Sequence, residues 1–370
     1  MPTSLDQVRE QLRLFADSGA AGESPLYEHL ARAAAADADV AALLTVAEPE
    51  SASAVLLLAA AHRLVLADPV CDLAHYYPSV GGEYGVDDMA WPTFRSFVLD
   101  RADQMRALLA SRTTQTNEVR RAALLYPAVV RAAAEAGGPI GLLEVGASAG
   151  LLLGLDTYGY RYTSATGEQI AAGPAKAPLV LNSVLTVVGG GKPPKLPKKL
   201  PVAAKGGLDR HPVDLRDDSD LAWLEACVWA DQPERLRLLN MAAAAQARSR
   251  PELVAGDAVR DLAHAAERIP ADLPLVVYTS HTMAYLSEQR RQDYVAAVAE
   301  LAARRPLWWV SLEQYDLALR LVLPGRDDLR FRGEKAFVVL GLTRWVDGRP
   351  VATALARTTP HGERIDWIAA

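Results

Sequence analysis

Residues 140–153, Ile-Gly-Leu-Leu-Glu-Val-Gly-Ala-Ser-Ala-Gly-Leu-Leu-Leu, constrain the fold more than any other stretch of the chain. An apolar run closes on an acid, Glu144. A turn of small residues follows at 146–150, and a second apolar run from Leu151 can start a helix. Strand, tight turn and helix in that order gather backbone N–H groups at a helix N-terminus, a site suited to a ligand's polar or anionic group. After Gly137-Gly138-Pro139 short apolar runs at 140–145, 202–208, 253–255, 275–279 and 307–312 alternate with helical stretches near 151–158, 221–247, 259–268 and 287–304. That alternation predicts parallel strands joined by crossover helices. Asp347-Gly348 between apolar runs predicts a closing antiparallel hairpin over 337–357.

Residues 1–136 read differently. Ala, Leu, Arg and Glu dominate there, and Ser24-Pro25 with Glu28 has the form of a capped helix start. No strand pattern precedes residue 139, so the reading is an all-helical domain over 1–136 and an α/β domain over 137–370. Residues 159–201 break the alternation with Gly189-Gly190-Gly191 and a run of Lys and Pro at 192–201. A loop of this length inside a compact domain is functional or disordered, and 159–201 is read as an insertion with a small hairpin at 180–188.

In an open α/β sheet, ligands bind beyond the carboxyl ends of the strands. The residues that fall there are Glu144 and Gly146 after the first strand, Asp209 and Arg210 after the second, Asp257 and Ala258 after the third, Ser280 and His281 after the fourth, and Glu313 after the fifth. An acid closing the second strand suits ribose hydroxyls, which donate two hydrogen bonds to it. His281, as a neutral imidazole near its free pKa, is the candidate general base.

The turn supports two chemistries. Gly146-x-Ser148-x-Gly150 matches the nucleophile elbow of α/β-hydrolases, with Ser148, Asp257 and His281 in that fold's chain order. Against it, more than a hundred helical residues precede the turn, no upstream oxyanion segment is visible, and Glu144 has no place in the scheme. The same letters resemble the first motif of class I S-adenosylmethionine-dependent methyltransferases. The chain as a whole, from about Leu26 onward, resembles an uncharacterised bacterial domain family through Gln115-Thr-Asn-Glu118, the 142–150 segment, Leu208-Asp-Arg-His-Pro-Val-Asp214 and Gly256-Asp-Ala258.

The methyltransferase resemblance implies a Rossmann-like sheet of five parallel strands plus the hairpin, with S-adenosylmethionine as cofactor. It places Glu144, Gly146, Ala147, Ser148 and Gly150 at the methionine end, Asp209 and Arg210 at the ribose, and Asp257 with Ala258 at the adenine, with Ser280 beside them. Asp209 follows Gly146 at much more than the ~20 residues of an uninterrupted unit, a gap the 159–201 insertion absorbs. A third reading keeps the fold as a non-catalytic nucleoside-binding protein.

Gln115, Asn117 and Glu118 read either as a helix start, with Thr116 or Asn117 as N-cap, or as a cap over the cofactor. Tyr77, in the irregular stretch His75-Tyr76-Tyr77-Pro78, reads either as packing or as a pocket wall. A helical cap encloses its ligand, so a small-molecule substrate is expected. The net charge of −6 argues against coating a nucleic acid. The best apolar run, 54–61, is cut by His62 and Arg63, which argues against a membrane span. Cys71 and Cys227 form no C-x-x-C pair, and the dispersed histidines give no metal spacing. With no signal-peptide pattern at the start, the expected compartment is the cytoplasm. A homodimer is left open.

Overall fold

Eleven strands form one mixed sheet in a computed structural model that describes residues 4–190, 192–247, 249–332 and 337–369. Gly191, in the glycine run of the insertion, lies outside the described residues. The strands are β1 Ile140–Val145, β2 Gly159–Ser164, β3 Gln169–Ala172, β4 Val180–Val187, β5 Val202–Asp209, β6 Glu252–Ala255, β7 Leu275–Ser280, β8 Leu307–Glu313, β9 Val338–Val346, β10 Arg349–Thr358 and β11 Arg364–Trp367. The helices are α1 Leu5–Leu14, α2 Pro25–Ala36, α3 Ala38–Leu43, α4 Ala54–Ala67, α5 Ala90–Asp100, α6 Ala102–Ser111, α7 Arg121–Ala136, α8 Asp218–Ala226, α9 Pro233–Gln246, α10 Leu262–Ala266 and α11 Glu288–Ala302. No helix among the described residues is long and apolar enough to cross a membrane.

The chain divides into two compact units. The first holds 1–117 and 214–240, the second 118–213 and 241–370. The dividing line falls before α7, not at 136/137, because α7 lies on the sheet: Glu135 accepts a hydrogen bond from Trp308 Nε1 of β8 at 2.9 Å. The 221–247 stretch, expected as one crossover helix, is two. Pro233 has no N–H to continue a helix and instead occupies the first position of a new one, α9.

In the first unit, the returning segment 214–240 is stitched to the earlier helices. Trp223 Nε1 donates to Thr113 O at 2.9 Å, and Ser24 Oγ donates to Asp231 at 2.6 Å. Ser24 also caps α2 with Pro25 in its first turn, as its sequence predicts. Tyr77 is fully buried in this core, its ring edge-on to His62. It is a packing residue, and the pocket-wall alternative is set aside.

His62 Nδ1 sits 3.1 Å from Ala226 O and 2.9 Å from Val228 O, so Nδ1 carries the hydrogen and Nε2 accepts from Ser79 Oγ at 2.8 Å. Burial holds His62 down at about 4, from 6.5. The unfolded chain binds the proton more readily, so this contribution is present above pH 6.5 and is lost as pH falls through 4. Wild type is expected to lose about 3 kcal/mol relative to His62→Asn between pH 7 and pH 4. Denaturant unfolding of both proteins across that range checks it, and a pH-independent difference would refute it.

In the second unit the five expected parallel strands lie in the order β6-β5-β1-β7-β8. All six residues of β1 and all seven of β8 are buried, as strands covered on both faces must be. Leu143, Val145, Val277 and Trp309 pack with Ala265 of α10 and Val298 of α11 on one face. Alternation turns Trp308, Glu144 and Tyr278 to the other face, where α7 lies. The expected hairpin is β9 and β10, antiparallel to each other, and β9 runs antiparallel to β8.

Two expectations fail here. The insertion is not a separate hairpin: β3 and β2 pair antiparallel, β2 pairs parallel with β4, and β4 pairs parallel with β11. It extends the sheet. The helix expected at 151–158 is only a single 3-10 turn, Leu151–Gly154. The acceptors a helix would use are taken: Gln246 Nε2 donates to Gly150 O and Leu151 O at 2.7 and 2.9 Å, and Tyr158 OH donates to Leu151 O at 2.6 Å. The turn at 146–150 therefore does not open a full helix.

Candidate functional site

The strand order reverses between β1 and β7, since β5 and β6 follow β1 on one side while β7 and β8 follow on the other. The carboxyl ends of strands at such a reversal are the place where open sheets bind ligands. The turn after β1 is left-handed at alternate positions, with φ +81° at Gly146, +50° at Ser148 and +70° at Gly150. Gly146 is required twice over, since an added Cβ would also overlap Thr282 Oγ1. Gly146 N and Ala147 N both donate to Leu208 O, at 2.8 and 3.2 Å. Ser148, a small side chain with an allowed but costly left-handed backbone, completes the bend.

Asp209 closes β5 and clasps this turn. Its two oxygens accept from Ser148 N at 2.7 Å and His211 N at 2.8 Å. Each oxygen keeps a second lone pair, so the carboxylate is engaged but not saturated. Asp257 is differently placed. Its Oδ1 accepts from Val259 N and Arg260 N, both at 3.0 Å, and from the Arg290 guanidinium. Arg210, largely exposed, lies 3.8 Å from its other oxygen. Against the opposing effect of burial, Arg260 N–H, Arg290 and Val259 N–H hold Asp257 down at about 2. Asp257 is thus a structural clasp for the 257–261 bend that contains the half-buried Ala258. All three of these hydrogen bonds fall on Oδ1, and among the described residues Oδ2 has only the 3.8 Å contact with Arg210.

The ends of the fourth and fifth strands carry buried polar groups. Ser280 Oγ and His281 Nε2 are buried, and among the described residues neither has a hydrogen-bond partner. His281 has φ +57°, an uncommon state for a residue with a bulky side chain. Glu313 at the end of β8 holds that conformation, its Oε1 accepting from Thr282 N at 2.8 Å and Met283 N at 3.3 Å. His281 N donates to Leu312 O, and Thr282 Oγ1 donates to Val145 O at 2.9 Å, tying the bend back to β1.

Burial and then the Arg121 charge push His281 down to about 3. This corrects the expectation of an imidazole near its free pKa. Burial raises Glu313 to about 7, against the N–H groups of Thr282 and Met283 and the field of Arg121. Burial also raises Glu144 well above the usual carboxylate range, although Tyr278 OH donates to it at 3.2 Å.

Glu144, Gly146, Ser148, Asp209, Ser280 and His281 are therefore brought to neighbouring strand ends, and Asp257 is drawn off to Arg290. Sequence reasoning did not single out Arg121, Tyr278 or the role of Glu313. Each leaves a signal: Arg121 is a charge at the start of a helix whose next nine residues carry no charge, Tyr278 is the register partner of Glu144, and Glu313 ends an apolar strand. Arg121 is buried, and its Nε donates to Pro360 O at 3.0 Å.

Gln115 and Asn117 belong to the first unit and Glu118 to the second. None is an N-cap: α7 starts at Arg121, with Arg120 as its cap residue and no side-chain cap. Glu118 is buried, and its Oε1 accepts from Arg120 N at 3.1 Å.

No curated protein matches the chain. Residues 9–367 match the family described as "Uncharacterized protein conserved in bacteria (DUF2332)", and the chain belongs to that family.

Proposed function

We propose that the second unit is a Rossmann-like S-adenosylmethionine-dependent methyltransferase for a small-molecule acceptor. The observation that carries this reading is the reversal of strand order between β1 and β7, with a left-handed turn and unpartnered buried polar atoms at that point. The residues fit a nucleoside-containing ligand in part. At the turn only Gly146 is exposed, and the N–H groups of Gly146, Ala147, Ser148 and Gly150 are donated within the protein, so the fit rests on Asp209, which retains a lone pair on each oxygen for hydroxyl donors. At the adenine end Asp257 spends Oδ1 on Arg290 and two backbone N–H groups, leaving Oδ2 for an exocyclic amine.

S-adenosylmethionine would supply an electrophilic methyl group there. His281 is neutral at physiological pH, so its Nε2 would accept a hydrogen bond from the acceptor's N–H or O–H and orient it. At a pKa of about 3 it is a weak base. It would take the proton only late, once the acceptor atom has become acidic by bonding to carbon. Glu313 and Arg121 act through His281 as positioning residues. Catalysis of this kind rests mainly on orientation in a site shielded from water.

Calorimetric titration with S-adenosylmethionine and S-adenosylhomocysteine tests the proposal. Micromolar binding of either is expected. Absence of binding to folded protein would count against both the methyltransferase and the nucleoside-binding alternative.

One observation favours a hydrolase as the second reading: Ser148 sits at φ +50°, the strained backbone of a nucleophile elbow. Against it, His281 Nε2 accepts no hydroxyl and Asp257 is neutralised by Arg290. A serine-reactive probe that labels wild type but not Ser148→Ala would favour this reading.

A further inference from the structure

A cleft of about 650 Å³ opens at the opposite end of the sheet, between α7 and the segment 192–201. Gly137 and Gly138, on its lining, lead into β1, and Pro201 leads into β5. The cleft is therefore at the amino ends of the parallel strands, a six-residue strand or ~20 Å from the carboxyl ends described above. Its volume lies in the range of small-ligand sites.

Its walls are apolar. Val130 and Ala134 come from one face of α7, Pro193, Pro194 and Leu200 from the strap, and Trp367 from β11. The strap is stiff for two reasons. Its prolines fix φ, and Pro197 O accepts both Tyr126 OH at 2.7 Å and Gly173 N at 3.0 Å. A wall fixed in advance lowers the ordering cost of binding.

The charged groups at the cleft have one sign. Lys192, Lys195 and Lys199 line it, and among the described residues none has an ion-pair partner. Arg131 also lines it and is paired to Glu135 at 3.3 Å. Three unpaired ammonium groups around an apolar slot complement an anion that carries an apolar body. A nucleic acid would leave the slot unfilled, and a small inorganic anion would leave its apolar walls wet.

We propose that this cleft is a binding site for an amphipathic carboxylate of the fatty-acid type, with the chain along Ala134, Pro193 and Pro194 over a floor of buried Val130, Leu200 and Trp367, and the head group at the lysines. The proposal is independent of the chemistry assigned to the other end of the sheet.

Dodecanoate is the probe, titrated into the full chain by calorimetry below its micellar concentration, with butyrate and dodecyltrimethylammonium as comparisons. Saturable micromolar binding of dodecanoate is expected, with each comparison weaker by about tenfold or more. Lys195→Glu/Lys199→Glu is expected to weaken dodecanoate by a similar factor. Ala134→Trp, at an exposed position on the lining, fills the slot and should weaken it too. The two variants perturb different parts of the cleft, so misfolding of one leaves the other as a test; thermal unfolding verifies each. No saturable binding, equal binding of the cationic detergent, or undiminished binding in both folded variants would overturn the proposal.

Discussion

Gly146→Ala is expected to destabilise the second unit by about 3 kcal/mol, from a left-handed backbone that an alanine tolerates poorly and a Cβ that overlaps Thr282. Two contributions are separable. The backbone part follows from φ +81°. The steric part falls on Thr282 Oγ1, which must leave its hydrogen bond to Val145 O. Thr282→Ala in the same chain should return the steric part only, giving a coupling energy of about 1–2 kcal/mol between the two sites. The same variant should abolish ligand binding at these strand ends, because Thr282 is next to His281. A Gly146→Ala protein as stable as wild type, within about 0.5 kcal/mol, would show that the turn is not left-handed.

Glu313→Gln is the second large effect, and its sign reverses the usual expectation for removing a charge. Glu313 is 2% exposed, and burial carries its carboxyl from 4.5 to about 7. The folded state binds the proton more tightly than the unfolded chain. The contribution is thus fully present below pH 4.5 and is lost as pH rises through 7. Glutamine imitates the protonated form and keeps an oxygen for Thr282 and Met283 N–H. The variant should match wild type near pH 4.5 and exceed its stability by about 3 kcal/mol at pH 8. Unfolding both proteins from pH 4.5 to 8.5 cancels the other titrating groups in the difference, and a flat difference would disprove the burial of this charge. If Glu313 positions His281, the variant should also retain ligand affinity while Glu313→Ala loses it.

β1, β7 and β8 were legible because each is a short buried run bounded by Gly, Pro or a polar residue, and fully covered strands carry no polar alternation to confuse them, while the partly covered β5 and β6 were legible from their apolar letters between helical stretches. The acids and His281 at their ends followed from that placement alone. Other features needed information that local pattern does not carry. The run Leu151-Leu152-Leu153 has helical letters, but Gln246 and Tyr158 take the carbonyls the helix would have used. β4 has alternating burial typical of a half-covered strand, yet nothing near it in sequence names β11 as its neighbour. Asp257 looked free because its partner Arg290 lies on a helix beyond the next strand. His281 looked like an ordinary histidine, and only its burial beside Arg121 shows that it stays neutral.

The pairing of β4 with β11 also bears on how the chain is made. Val184 finds its partner Arg364 only after nearly all of the second unit has left the ribosome. Until then β2, β3 and β4 are a three-stranded fragment whose β4 is a second open edge beside that of β3, and β4 carries Val180 and Val184, exposed even in the finished fold. Such edges recruit other strands, and long-range pairings form slowly. The nascent chain therefore passes through an interval in which this fragment is its most aggregation-prone part, and chaperone demand should track the delay before β11 emerges.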